Sequence, residues 1–309
     1  METWHDAKLA QLSLQPIFGR AFKTQRLLHD HHPGQASYLW KVLTKSGTVA
    51  VRTPRVLTPP DQDFYQGVLR IFDANTADVS RIALINRLLA PASLIPVPNV
   101  RFSRSYAGHT FLVLEWLPGH PLKNFGDLPQ AEAERLGHHT ARLHNISVSA
   151  FGSPRCLDNS RFGHPLGHFF PRVRATITLI ARRYHADDPE MDPWVGAAEK
   201  ILTTLPAPQQ AVPVMIDLDP SQFLCHKNRL SGLVDTELYV AAPRELELAA
   251  YELLLPTPAA QAFRRGYDSY APMPSLAPYR TVYRVLLRLL SFQGPVPWET
   301  WMTMPVQWD

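Results

Sequence analysis

Two short apolar segments, each ending in an acid, stand out in the C-terminal half of the chain. Residues 214–216 run into Asp217, and residues 233–234 run into Asp235. Between them, the polar residues 226–229 include an Asn, which favours a turn between two strands. The pattern predicts a β-hairpin that brings the two acids to one end of a cleft.

A second hairpin is predicted near the N-terminus. Residues 37–44 and 48–52 are rich in strand-forming side chains, and Lys45-Ser46-Gly47 between them supplies turn residues. Further on, residues 110–119 form an apolar segment that closes in a Pro-Gly turn. This segment predicts a third buried strand.

Apolar residues at steps of three and four predict helices in several segments. These are residues 76–89, 129–145, 175–184, 193–205, 244–255 and 279–292. Residues 3–28 have a less regular pattern, which is consistent with one or two short helices. Outside the helices named, residues 151–210 give the weakest signal.

The composition is that of an ordinary globular protein. Of the 309 residues, 45% are hydrophobic and 19% charged, which excludes a disordered chain. The formal net charge is +4, with no dense basic run, so nucleic-acid binding is not expected. No apolar run approaches the length of a membrane span, and no membrane association is expected.

Cysteine and histidine usage also narrows the function. The two cysteines, Cys156 and Cys225, lie far apart, which excludes a cysteine-based zinc site and fits a reducing cytoplasm. The N-terminus lacks the pattern of a signal peptide, so a cytoplasmic location is predicted. His29, His31 and His32 lie together without an acidic or cysteine partner, and metal binding there is not expected.

Asp217, Gln222 and Asp235 have the chemistry that phosphoryl transfer requires. One carboxylate can orient an acceptor hydroxyl, while an amide oxygen and a second carboxylate can hold Mg²⁺ ions that bridge phosphates. A Walker-type Gly-x-x-x-x-Gly-Lys-Ser/Thr motif is absent from the sequence, so a P-loop is not predicted.

These segments resemble the catalytic region of the aminoglycoside phosphotransferase and choline kinase superfamily, small-molecule kinases with the protein-kinase fold. The matching stretches are residues 215–222, residues 234–237 and residues 247–249. The resemblance implies that Asp217 is the catalytic base, Gln222 the amide ligand of Mg²⁺ and Asp235 the metal-binding acid.

Three residues depart from the family pattern. Met215 replaces a His, Ile216 replaces a Gly, and Gln222 replaces an Asn. The extra methylene of Gln moves the amide oxygen further than a tight Mg²⁺ shell tolerates, so Gln222→Asn is expected to maintain or raise the rate.

The resemblance also assigns a phosphate-binding cation to the N-terminal hairpin of residues 37–52. Arg52 lies where protein kinases have a Lys, and an Arg can clamp phosphate oxygens with two nitrogens. In a protein kinase the next helix supplies a Glu that pairs with this cation. Residues 76–89 contain Asp78 and Arg81 but no Glu, so either Asp78 pairs with Arg52 or the ion pair is missing.

The implied fold is α+β and two-lobed, with a small N-terminal sheet lobe and a larger, mostly helical lobe. Residues 1–117 form the nucleotide-binding lobe, and residues 118–309 form the catalytic and acceptor-binding lobe. The resemblance places the hinge at Glu115, Trp116 and Leu117, whose backbone groups would bind adenine.

The predicted function is transfer of the γ-phosphoryl group of ATP or GTP, with Mg²⁺, to a hydroxyl of a small molecule. The expected partners are thus a nucleotide and a small hydroxylated molecule, and the sequence does not indicate an oligomeric state. The alternative is an impaired pseudokinase that binds a nucleotide or metabolite or acts as an interaction protein. A hydrolase is disfavoured, because the chain lacks a Gly-x-Ser-x-Gly motif.

Charge in the region expected to form the acceptor pocket predicts the type of acceptor. Six arginines lie between residues 155 and 183, with Asp158 as the one acid among them. A polycationic acceptor would need acidic walls, so a neutral or anionic acceptor is expected.

Overall fold

The computed structural model describes residues 14–15, 17–19, 22–27, 37–55, 58–75, 78–106 and 108–309. The N-terminal part contains a five-stranded antiparallel sheet in the order β1-β2-β3-β5-β4. Its strands are β1 (Phe22–Leu27), β2 (Ser37–Thr44), β3 (Gly47–Pro54), β4 (Val100–Tyr106) and β5 (His109–Glu115).

The predicted hairpin of β2 and β3 is confirmed. The strands pair in register from Ser37↔Pro54 to Thr44↔Gly47, around a turn at Lys45 and Ser46. Gly47 has a φ of 117°, a backbone conformation that residues other than glycine rarely adopt. Alternate residues of the two strands, such as Trp40 and Val51, are buried in a core on one face of the sheet.

The prediction of helices in residues 3–28 is wrong for the last part of that segment. Residues 22–27 form β1, which pairs antiparallel with β2. Within the earlier part, residues 14–15 and 17–18 are helical, and residues 1–13 lie outside the described residues. Pairing with the edge of β2 satisfies the backbone of β1 and so prevails over a weak local helix pattern.

The rest of the described chain is mostly helical, and all six helices predicted for it occur. Four further helices, α1, α4, α8 and α10, were not predicted from the sequence. The helices are α1 (Asp63–Phe72), α2 (Arg81–Leu89), α3 (Gln130–His144), α4 (Arg155–Asp158), α5 (Phe169–Tyr184), α6 (Asp192–Leu202), α7 (Arg244–Leu254), α8 (Thr257–Asp268), α9 (Arg280–Leu289) and α10 (Trp298–Met302).

Short strands lie between these helices. They are β6 (His120–Pro121), β7 (Ala150–Phe151), β8 (His164–Pro165), β9 (Val212–Met215), β10 (Phe223–His226), β11 (Arg229–Leu233) and β12 (Tyr239–Ala242). The predicted turn at residues 226–229 is confirmed, but the hairpin it closes joins β10 to β11, whereas β9, which leads to Asp217, pairs with β12. The turn residues Lys227 and Asn228 have φ values of 50° and 60°, as a tight type I′ turn requires.

Helix α1 follows the sheet hairpin in sequence but packs into the helical core. Val68, Ile71 and Phe72 are fully buried in the large core cluster. A Cβ at Gly67 would lie 2.1 Å from Cδ2 of Leu290, so a larger residue here would require the Leu290 side chain to move. The apolar face of α1 is therefore covered by the C-terminal helices.

Polar contacts fix both ends of α1 to the same helices. At its start, Asp63 accepts a hydrogen bond from the Ser291 hydroxyl and lies 3.5 Å from Nε2 of His185. At its end, Asp73 forms a 2.7 Å ion pair with Arg172 and contacts His164. Burial is offset by these partners, which hold the pKa values of Asp63 and Asp73 below the usual value.

Within the described residues, no helix is both long enough and apolar enough to cross a membrane.

Candidate active site

The segment that carries Asp217 begins at the end of β9 and is held by the elements beneath it. The Met215 N–H donates to Oε1 of Glu247 at 3.0 Å, and the Ile216 N–H donates to the Leu238 carbonyl at 3.2 Å. Met215 is only 1% exposed. The backbone entering the site is thus fixed by α7 and by the turn that precedes β12.

Glu247 also anchors a buried histidine. Nε2 of His144 lies 2.6 Å from Oε2 of Glu247, and Nδ1 lies 2.9 Å from the Tyr267 hydroxyl. His144 is 3% exposed. His144 is therefore a packed, hydrogen-bonded residue of the core.

A reciprocal cap shapes the turn Pro220–Gln222. The Asp219 carboxylate accepts the Ser221 N–H at 2.8 Å, and Oε1 of Gln222 accepts the Asp219 N–H at 3.2 Å. The Gln222 amide nitrogen donates to the Asp217 carbonyl. A glutamine has the reach that this arrangement needs. The residue predicted as a metal ligand therefore also holds the backbone of Asp217 in place.

One backbone hydrogen bond joins the two predicted acidic segments. The Val234 N–H donates to the Gln222 carbonyl at 2.8 Å, which places Asp235 beside the turn. Asp235 has a φ of 55°, in the left-handed region that non-glycine residues seldom occupy. Strained backbone of this kind often accompanies functional side chains.

The carboxylate of Asp217 is half-buried in an acidic surrounding. Burial raises its pKa to about 7, with further contributions from Glu237, Asp219 and Asp235. A base works best when its pKa lies near the pH of the reaction. The arrangement thus gives Asp217 a proton affinity suited to accepting a proton from a hydroxyl.

Arg52 on β3 contacts two acids of the helical part, Asp235 and Glu237. The Arg52 side chain is 12% exposed, compared with 38% for Asp235 and 9% for Glu237. Asp78 instead accepts hydrogen bonds from the backbone and hydroxyl of Ser80. The acid beside Arg52 that the sequence left unidentified is therefore Glu237, two residues after Asp235.

Glu237 has an incompletely satisfied carboxylate. One oxygen contacts Arg52, whereas Oε2 is buried and has no hydrogen-bond partner among the described residues. Burial raises the pKa of Glu237, opposed mainly by the charge of Arg52. A buried acceptor without a partner is costly and often marks a site for water or a cation.

The predicted hinge follows β5. The Glu115 N–H donates to the Asn99 carbonyl at 2.8 Å, and the Glu115 carboxylate accepts the Asn99 side chain at 3.0 Å. In the described part of the chain, Trp116 and Leu117 make no backbone hydrogen bond outside the sheet ladders. The Trp116 ring lies under the Lys41 ammonium, at 4.5 Å. The connection is half-buried, which leaves backbone groups available to a ligand.

The arginines expected near the acceptor are partly engaged. Arg172 pairs with Asp73, and Arg183 lies 2.7 Å from Asp61. An open cavity of about 800 Å³ along α5 is lined by Arg174 and Arg182 and also by Arg183. The positive charge of this region is therefore only partly neutralised.

Side chains alone do not form a metal cage in the described residues. No group of three or more His, Cys, Asp or Glu there could hold a metal ion. Mg²⁺ in kinases is typically bound by one or two carboxylates together with substrate phosphates. The acids near Arg52 fit that pattern better than a preformed protein site.

A comparison with models of protein families assigns the chain to a family. Residues 31–279 match the model of the phosphotransferase enzyme family. The chain belongs to this family. No match was found among curated proteins.

Solved phosphotransferase structures share the fold. The macrolide 2'-phosphotransferase MphH from Brachybacterium faecium superposes with a TM-score of 0.61 at 18% identity, covering 96% of this chain and 99% of that one. A thermostable mutant of the aminoglycoside phosphotransferase APH(4)-Ia, bound to ADP and hygromycin B, gives 0.60 at 15% identity, with 92% of each chain covered.

A third structure is spectinomycin phosphotransferase APH(9)-Ia, in complex with ADP and spectinomycin. Its TM-score is 0.58 at 13% identity, covering 91% of this chain and 88% of that one. At such identities the likeness shows the fold alone. The phosphotransferase family member described here thus has the two-lobed α+β fold of the protein kinases, as predicted.

Proposed function

We propose that this phosphotransferase uses ATP and Mg²⁺ to phosphorylate a hydroxyl group of a small molecule. The observation that carries the proposal is the convergence of Asp217, Asp235 and Glu237 with Arg52 at one site. GTP is the alternative nucleotide. The same site supports no other reaction class as well, since phosphoryl transfer needs an acid cluster and a cation in this combination.

Asp217 is the proposed base. Its backbone is fixed through the Gln222 side chain, and its raised pKa allows it to accept a proton from the acceptor hydroxyl near neutral pH. The carboxylate would orient the oxygen for attack in line with the leaving group. Its role is to position the acceptor, so it contributes little to nucleotide affinity.

Asp235 and Gln222 are the proposed ligands of Mg²⁺. Asp235 is the most exposed acid of the ion cluster, and carboxylate oxygen is a preferred Mg²⁺ donor. The oxygen of Gln222 already accepts the Asp219 N–H but has a second lone pair for a cation. When bound, Mg²⁺ would neutralise phosphate charge during transfer.

Arg52 is the proposed phosphate clamp, and residues 115–117 are proposed to bind adenine. Arg52 lies on the strand hairpin that faces the acidic cluster, where it can donate to phosphate oxygens with two nitrogens. The backbone groups of Trp116 and Leu117 at the strand end support the adenine assignment. The nucleotide would then lie between a lobe of residues 1–117 and a lobe of residues 118–309.

The acceptor is proposed to be neutral or anionic. Arg174 and Arg182 are exposed on α5, and the charged residues that line the cavity along this helix are all arginines. A polycationic substrate would be repelled by this surface. A panel of hydroxylated molecules scored by ADP release would identify the acceptor.

Nucleotide binding is the first test. A thermal unfolding experiment with Mg-ATP at about 100 times its Kd should raise stability by about 2.7 kcal/mol, or roughly 5 °C. Asp235→Asn should reduce this Mg-dependent shift more than Asp217→Asn does, because Asp235 contacts the metal. A protein that responds to no Mg-nucleotide, whether ATP, ADP, GTP or GDP, would refute the proposal.

Turnover is the second test. Asp217→Ala should lower kcat by about 10²- to 10⁴-fold, the usual contribution of a general base. Its nucleotide Kd should stay within about 3-fold of wild type, since 0.7 kcal/mol corresponds to that factor. A variant that keeps most of its turnover would show that another residue orients the acceptor.

A nucleotide-binding pseudokinase is the second candidate. The engaged amide of Gln222 and the contact between Arg52 and Asp235 favour it, since both groups must adjust for Mg²⁺ to bind. This candidate predicts the thermal shift with nucleotide but no ADP release with any acceptor.

A further inference from the structure

The two acids that contact Arg52 differ in their surroundings. The Glu237 side chain is 9% exposed, whereas that of Asp235 is 38% exposed. A buried ion pair is screened less by water and salt than an exposed one. Arg52 therefore has one inner partner and one outer partner.

Helix α2 supplies a cation here, whereas a protein kinase supplies an acid. Arg81 at its start is 5% exposed and donates to the Asn75 and Asp78 carbonyl oxygens. Asp78, the one acid between residues 78 and 89, is committed to Ser80. The acid for Arg52 thus comes from the turn after β11.

That turn is fixed to α2 by a different contact. The Thr236 hydroxyl donates to Oδ1 of Asn86, and the Asn86 amide donates to the Pro98 carbonyl at 2.7 Å. Both Thr236 and Asn86 are buried. Glu237 is therefore held in position whatever occupies the cleft.

From these contacts we infer that Glu237 is the positioning residue for Arg52, and that Arg52 and Mg²⁺ compete for Asp235. The inference rests on the proposed function. Without nucleotide, Arg52 neutralises Asp235. When Mg-nucleotide binds, Asp235 turns to the cation, and Glu237 retains Arg52 for the phosphates.

Removing the charge of Glu237 leaves Arg52 with Asp235 as its main acid. The tighter pair would then oppose Mg²⁺, and the arginine would be less well placed for phosphate. Glu237→Gln should therefore weaken nucleotide binding mainly when Mg²⁺ is present. The gain in ADP affinity that Mg²⁺ gives should fall by about 10-fold or more, the size of one charge-assisted contact.

The experiment measures ADP binding by calorimetry with and without Mg²⁺, together with KM and kcat. For Glu237→Gln, KM for the nucleotide should rise more than kcat falls. Glu237→Asp keeps the charge and should restore part of the Mg²⁺-dependent gain. A loss of affinity that is equal with and without Mg²⁺ would overturn the competition.

Asp78→Asn is the matched control, since it removes the acid at the position where a kinase helix would provide one. It should leave the Mg²⁺-dependent gain unchanged. If Asp78→Asn abolishes the gain and Glu237→Gln does not, the assignment of Glu237 is overturned.

Unfolding of the nucleotide-free protein separates this inference from the proposed function. The unfolding midpoints of Arg52→Gln, Glu237→Gln and the double variant should be non-additive, with the double variant less impaired than the sum. Additive effects would overturn Glu237 as the partner of Arg52. If the wild type binds no nucleotide, the proposed function and the competition of Arg52 and Mg²⁺ for Asp235 are both refuted. Non-additive unfolding midpoints would still show that Glu237 is the partner of Arg52.

Discussion

Two arginine–glutamate clusters among the described residues differ in their ratio of acids to arginines: one has two acids for Arg52, whereas the other has two arginines for Glu252 and the exposed Asp309. At the candidate active site, Arg52 forms ion pairs with Asp235 and Glu237, and Oε2 of Glu237 has no hydrogen-bond partner among the described residues. Near the C-terminus, Arg280 and Arg284 share Glu252, whose oxygens are both hydrogen-bonded.

The C-terminal cluster has further acceptors for its arginines. Arg284 donates to the carbonyl oxygens of Met302 and Met304 at 2.9 and 2.8 Å, and Arg280 donates to that of Trp308 at 2.7 Å. These contacts fix the last residues of the chain on α9. The cluster at Arg52 has two acids for one arginine and therefore an excess of negative charge. A cluster in which every carboxylate oxygen is hydrogen-bonded stabilises the fold. A cluster with a carboxylate oxygen that lacks a hydrogen bond and with excess negative charge can bind a cation.

The largest effect on stability is expected at the C-terminal cluster. Glu252→Gln leaves the buried guanidinium of Arg284 without its anion and leaves Arg280 with only the exposed Asp309, and should lower the free energy of unfolding by about 3–5 kcal/mol. Urea denaturation would measure the loss.

Glu134→Gln is the control for that change, because Glu134 is 49% exposed and pairs with Arg265 on the surface. It should change stability by less than about 1 kcal/mol. Equal effects of the two variants would remove the distinction between the clusters.

Loss of an acid next to the Arg52 cluster should instead raise the free energy of unfolding. Asp217→Asn removes a crowded negative charge and should stabilise the metal-free protein by about 1–3 kcal/mol at pH 8. The gain arises because the pKa of Asp217 is about 7 in the folded protein, above its unfolded value. The folded state holds an extra proton below that pH, so wild-type stability is lost as pH rises toward 7.

Unfolding midpoints at several pH values would test this sign. The variant and wild type should be similar near pH 4 and diverge toward pH 8. Asp158→Asn, at an exposed side chain of α4, should show no such divergence. A destabilised Asp217→Asn variant at pH 8 would show that the charge is compensated in the folded state.

A smaller effect is expected at the turn Pro220–Gln222. Gln222→Asn shortens the side chain that caps the Asp219 N–H and supports Asp217, and should cost about 0.5–2 kcal/mol. Because these contacts hold the backbone of Asp217, we expect turnover to fall, whereas the metal-geometry argument from the sequence predicts a rate that is maintained or raised. Steady-state assays of Gln222→Asn measure the rate. A rate at or above that of the wild type would support the explanation that the shorter amide is the better Mg²⁺ ligand.

Local turn chemistry explains why parts of the fold were predictable. The β2–β3 turn and the Lys227-Asn228 turn depend on residues that tolerate positive φ, and both hairpins follow from adjacent sequence. The helices α3, α7 and α9 were likewise predicted from periodic apolar residues, although α7 and α9 are in fact buried on all sides over residues 246–252 and 282–289.

Other features depend on partners distant in sequence. Strand β1 forms because β2 offers an edge, and α1 forms a core helix because α5 and the residues after α9 cover it. The role of Glu237 depends on Arg52, which lies 185 positions earlier. The Asp-x-Glu spacing at residues 235–237 was the available signal, but it does not reveal which cation the second acid meets.

The packing of α1 also has a consequence for synthesis of the chain on the ribosome. The apolar face of α1, including Phe72, is covered by Phe169 of α5, and Gly67 packs against Leu290. At translation rates of 5–20 residues per second, α5 emerges about 5–20 s after α1. During that interval the nascent chain must shield an exposed apolar helix, which makes this stage vulnerable to aggregation and a natural point for chaperone binding.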